Sequence, residues 1–144
     1  MTTATHWFFW ALLSAVFAAH TAILAKIGLE RVDSDFATWV RTVVILIVLT
    51  GFVTYAGKWS DPWQLPGKTL LFLMLSGLAT GASWVCYFRA LKIGQASQVA
   101  PVDKLSVLLV AVFAFVFLGE RPSGREWTGI LLVGAGVLVL ALKR

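Results

Sequence analysis

Of 144 residues, 59% are hydrophobic and only 13% charged, and the mean hydropathy is +0.85. Soluble domains carry about one quarter charged residues, and a chain this short could not hide so much apolar surface, so composition excludes a water-soluble globule. The net charge of +5 is spread over the links between apolar runs rather than gathered on a basic face with interleaved aromatics, which argues against nucleic acid as a partner.

The residues ahead of Trp7 contain no Lys or Arg, and no small-residue cleavage pattern follows, so the first apolar run is expected as a retained helix rather than a secretory signal. It covers about 7–27 and is long enough to cross a hydrocarbon core of roughly 30 Å. Ala11, Ala15 and Ala19 repeat at four-residue spacing beside Ser14, Ala18 and Ala22. Such a stripe lets another backbone approach closely and is expected to be buried against protein. His20 points away from it. Two readings fit a histidine inside a span: a functional group, or a neutral imidazole bonded to a neighbouring helix.

Asp33, Ser34 and Asp35 offer side-chain oxygens to the start of the second span, about 36–55. Arg41 lies inside it. Its long side chain could snorkel back to the headgroups; a functional role would require an acidic partner at the same depth. Gly57, Pro62, Pro66 and Gly67 break the next loop, with Trp59 and Trp63 as interfacial anchors among the chain's seven tryptophans.

The third span is expected at 69–88. Ser76, Thr80, Ser83 and Tyr87 recur at helical spacing with Trp84 beside them, a polar-aromatic stripe that lipid could not satisfy, while Gly77 and Gly81 form a GxxxG on the adjoining face. The stripe reads either as cavity lining or as helix packing with hydroxyls bonded to their own backbone. Cys86, the only cysteine, has no disulfide or metal-site partner and is expected in core packing.

Arg89 to Gln98 reads as a short basic connection and 99–118 as the fourth span, with Pro101 in its first turn. Asp103 and Lys104 then fall about one turn deep. Spans two and four start on the same side of the membrane, so an Arg41–Asp103 ion pair is expected; the rival role for Asp103 is capping its own helix. Ser123 to Glu126 has a capping-box pattern opening a short fifth span, about 127–142, with Trp127 at one interface and Lys143-Arg144 at the other.

Arg89, Ala90, Leu91, Gly94, Ala96 and Ser97 form an R-A-L-x-x-G-x-A-S segment, followed by Pro101 near the start of a helix, Leu118-Gly119-Glu120 at its end, and Trp127 and Gly129 in a W-x-G entry to the next. Their order and spacing resemble the EamA-like domain of the drug/metabolite transporter superfamily. The resemblance runs the whole chain, 1–144, as one EamA-like domain. It implies an all-α polytopic membrane fold of five helices, half of a ten-helix inverted-repeat transporter with substrate held near the midplane.

No enzyme motif is evident: there is no nucleophile triad, phosphate loop or metal-ligand spacing, and neither cofactor nor metal is expected. The reading is a secondary transporter subunit of a bacterial-type inner membrane that moves a small metabolite or organic ion by alternating access. Its route is assigned to His20, Arg41, Ser76, Thr80, Ser83, Trp84, Tyr87, Asp103 and Lys104. Because nothing repeats within the chain, the second half is expected from a homodimer, antiparallel in one form, or from a paralogous five-helix unit. On the side of the N-terminus lie Lys58, Lys68, Arg121 and Arg125; on the other lie Lys26, Arg31, Arg41, Arg89, Lys92, Lys143 and Arg144. Seven against four favours a cytoplasmic C-terminus, and discounting Arg41 as intramembrane leaves six against four. Two alternatives remain: a lipid-linked flippase subunit, and a non-transporting membrane scaffold or regulator.

Overall fold

The computed structural model describes residues 3–142, and the described secondary structure is helical throughout. The Trp63 side chain and the Lys143-Arg144 pair, both expected at interfaces, lie outside what is described. Helices α1 (Thr3–Gly28), α2 (Ser34–Tyr55), α3 (Gly67–Ile93), α4 (Ala96–Asp103), α5 (Ser106–Phe113) and α6 (Gly124–Ala141) follow in chain order, with a π-helical turn at Ala114–Leu118. α4, α5 and the π turn together make one span, so five stretches are long and apolar enough to cross a membrane: His6–Gly28, Ser34–Tyr55, Gly67–Ile93, Ala96–Leu118 and Gly124–Ala141. The protein is a multi-pass membrane protein.

Local chemistry sets the helix ends. The Asp33 carboxylate accepts from the Asp35 and Phe36 amides at 2.9 and 3.1 Å and starts α2. Gly57 ends it in a left-handed conformation (φ 63°), which lets the Lys58 amide reach back to the Val53 carbonyl at 3.1 Å. At the head of α6 the capping box is complete: the Glu126 carboxylate accepts from the Ser123 amide at 2.6 Å while the Ser123 side chain accepts from the Glu126 amide.

Two expectations about the middle of the chain are corrected. Arg89 to Ile93 is not loop but the last turn of α3, because basic side chains are favoured at a helix C-terminus and here find partners. α4 then begins at Ala96, its polar Ser97-Gln98 turn being helical rather than connecting, so Pro101 sits inside the helix instead of in its first turn. A proline there removes a backbone donor. Beyond it the ladder tightens to three-residue steps, Lys104 to Pro101, Leu105 to Val102 and Val107 to Lys104, and the span is interrupted between Asp103 and Ser106. Asp103 is thus the last residue of α4, which rules it out as an N-terminal cap.

Contacts divide the described chain into two units, residues up to Ala22 with those from Gly94 onward, and Ile23–Ile93. In the second, Leu29, Thr38, Phe88 and Leu91 are buried where the end of α1, the start of α2 and the end of α3 meet. In the first, α6 packs on α4 and α5. Gly134 and Val137 are buried there, and a methyl group on Gly134 would come within 2.8 Å of Leu108 Cδ2. Most other apolar side chains of the spans are exposed, as lipid or another subunit requires. The small-residue stripe of α1 is among them. Only its last member, Ala22, is buried. Cys86 is exposed too and is not core packing.

Candidate functional site

The polar contacts of Ile23–Ile93 concentrate at one end. Asp35 opens α2 and Arg89 lies in the last turns of the antiparallel α3, so they meet at one level: Arg89 Nε donates to Asp35 Oδ1 at 2.9 Å and its Nη2 to Oδ2 at 2.6 Å. This bidentate fork fixes the register of the two helices. Two lysines close the end. Lys26, near the end of α1, donates to the Leu91 carbonyl at 2.6 Å. Lys92, at the end of α3, donates to the carbonyls of Leu29, Glu30 and Val32 just past α1, the last at 3.0 Å. Each lysine supplies the other helix's terminal region with donors that its unpaired carbonyls lack.

Arg41 lies six residues inward from Asp35 along α2, about 9 Å by helical rise. Its guanidinium sits over the Trp84 ring, 4.5 Å from the centroid, and 5.1 Å from that of Phe88, one turn apart on α3. Two residues of the expected route, Arg41 and Trp84, are therefore brought together. The partner is aromatic rather than acidic. Thr80 donates its hydroxyl to the Ser76 carbonyl at 2.8 Å, while Ser76, Thr80 and Ser83 are exposed and Tyr87 is half-buried.

The other expected route residues, His20, Asp103 and Lys104, belong to the first unit. His20 is exposed, its Nδ1 2.8 Å from the Val16 carbonyl of its own helix, so the bond to a neighbouring helix is replaced by a local one. Asp103 and Lys104 flank the interruption of the fourth span and pair with each other, Nζ to Oδ2 at 3.2 Å. Each of the two groups expected to pair across spans thus has a partner within its own unit. Along α5 and α6 runs a groove of about 600 Å³, lined by Val107, Val110, Ala111, Ile130 and Val133 together with the charged Glu120, Arg121 and Glu126. No group of three or more metal-ligating side chains occurs among the described residues.

Phe88 and the Asp35–Arg89 pair escaped assignment to the site from sequence. The available signal was opposite charge at the matching ends of two consecutive antiparallel spans.

The chain matches the EamA-like transporter family over residues 5–142. It is 57% identical to a Sinorhizobium protein described as an uncharacterized transporter in the cobO 3' region, over 94% of this chain and 96% of that one. It is 31% identical to human solute carrier family 35 member G1 over 94% of this chain but only 37% of the human protein. A probable 4-amino-4-deoxy-L-arabinose-phosphoundecaprenol flippase subunit from Serratia proteamaculans is 27% identical over 69% of this chain and 95% of its own length. No solved structure matches. The family's full-length match, carried on five membrane-spanning helices, makes this chain a member of the EamA-like transporter family.

Proposed function

We propose that the chain is one half of a secondary transporter that moves a small metabolite or organic ion by alternating access between two five-span units. The observation that carries this is length. The same unit fills 96% of the Sinorhizobium relative and 37% of the human one, so it stands alone in one protein and occupies less than half of another. A second copy in antiparallel orientation, or a paralogous unit, supplies the other half. The exposed small-residue face of α1 and the exposed stripe of α3 give it packing surface. The membrane is a bacterial-type inner membrane, and the excess of Lys and Arg on the side opposite the N-terminus argues for a cytoplasmic C-terminus. Reporter fusions at both termini in cells expressing this chain alone test the arrangement. Both termini on both sides support the antiparallel homodimer; a single orientation requires a partner polypeptide.

A second reading is a lipid-linked flippase subunit. The α5–α6 groove favours it, since a mostly apolar trough with a few charged side chains in its lining suits a lipid tail with a polar headgroup, and the Serratia relative carries that description. Movement of a lipid-linked sugar, rather than a free solute, across proteoliposomes of the pure protein decides between them.

A further inference from the structure

The cations at the closed end of Ile23–Ile93 differ in what holds them. Arg89 spends its fork on Asp35, Lys92 is surrounded by three carbonyls, and Lys26 donates to a fourth. Arg41 takes part in no ion pair and no hydrogen bond among the described residues; two aromatic rings hold it. A cation–π contact orients a guanidinium and offsets part of its charge, yet consumes none of its five N–H donors. Trp84 lies five residues, about 7.5 Å, inside Arg89 on α3, so the guanidinium is kept inward of the level where the helices are pinned. A half-buried arginine with a full set of unused donors, backed by Trp84 and Phe88 and next to the hydroxyl stripe of α3, is built to receive a planar oxyanion.

We infer that Arg41, held by Trp84 and Phe88, is an anion-recognition residue and that the solute of this protein carries a carboxylate that takes its free fork. The inference rests on the transporter reading for the word solute, and on the geometry alone for the binding site. Binding of benzoate, succinate and glutarate to the purified full chain in nanodiscs is compared with benzamide, succinamide and glutaramide, matched in shape and lacking charge. At least one carboxylate is expected to bind about tenfold to a hundredfold more tightly than its amide, the range of a charge-assisted hydrogen-bonded pair. In Arg41→Gln that preference disappears. In Arg41→Lys, a point charge without the fork, part of it remains. The wild-type comparison needs no variant to fold. Equal binding of every acid and its amide, tighter binding of benzylammonium, or an Arg41→Gln protein that keeps the preference each overturns the inference. Counterflow in proteoliposomes of the same preparation separates the two claims. Carboxylate binding without flux supports the site and removes the homodimeric form of the transporter reading. Flux of a neutral or cationic solute untouched by Arg41→Gln overturns the site and leaves the transporter.

Discussion

Replacing Gly134 should expose how closely α5 and α6 approach. A Cβ at this position would lie 2.8 and 2.9 Å from the two terminal carbons of Leu108 and 3.3 Å from its Cγ, well inside ordinary contact. With alanine, the offending atoms are the ends of a movable side chain, and about 1 kcal/mol of helix propensity gained over glycine offsets the strain, so Gly134→Ala should be nearly neutral. Valine is different. Its branched Cβ adds two carbons to a gap that already rejects one and loses most of the propensity gain, so overpacking of about 1–3 kcal/mol is expected. Leu108→Ala alone should also destabilise, by removing a packed side chain. Combined with Gly134→Val it should recover part of the loss, giving a coupling of about 1–2 kcal/mol in a double-mutant cycle. Thermal unfolding of the four proteins in one detergent, followed by circular dichroism, measures this. Additivity of the two changes within about 0.5 kcal/mol would refute the close approach, because independent sites add.

Exchanging Asp35 and Arg89 offers a second test. Asp35→Arg and Arg89→Asp should each lower the yield of folded protein, and the doubly swapped chain should recover it, measured by size-exclusion of detergent extracts. Ser123→Ala should cost about 1 kcal/mol by stripping the cap of α6, and Ser123→Gly only a few tenths, by the same unfolding assay. Lys92→Met should raise amide hydrogen exchange across residues 29–36 while leaving residues 44–54 unchanged, since three carbonyls of that link lose their common donor.

What could be read from sequence was what is local. Asp33 and the Ser123–Glu126 box act on amides two or three residues away, so their pattern is their mechanism. The spans declare themselves because nothing but helix can satisfy twenty apolar residues in lipid. The misplaced boundaries were decided at a distance. Arg89 prolongs α3 with a carboxylate 54 residues away, and Lys92 does so with carbonyls some 60 residues away. Gln95 to Gln98 looked like loop because it is polar, whereas helices begin in the headgroup layer, where polarity is no obstacle. Arg41 is anomalous in sequence and its charge points to an acidic partner; a guanidinium is equally content on an indole, and that preference leaves no charge pattern to find.

The crossed lysines have a mechanical consequence. Lys26 grips the end of α3 and Lys92 grips the link after α1, so these helix ends cannot separate without breaking bonds in both directions. α3 is therefore pinned at its C-terminal end, and any tilt of it would pivot there. Its 27 residues span about 40 Å, so a tilt of about 10° that barely disturbs the pivot would swing Gly67 through about 7 Å. Arg41 and Trp84 lie close to the fulcrum, where displacement is smallest, so their contact would survive a stroke that opens the far end of the same helix.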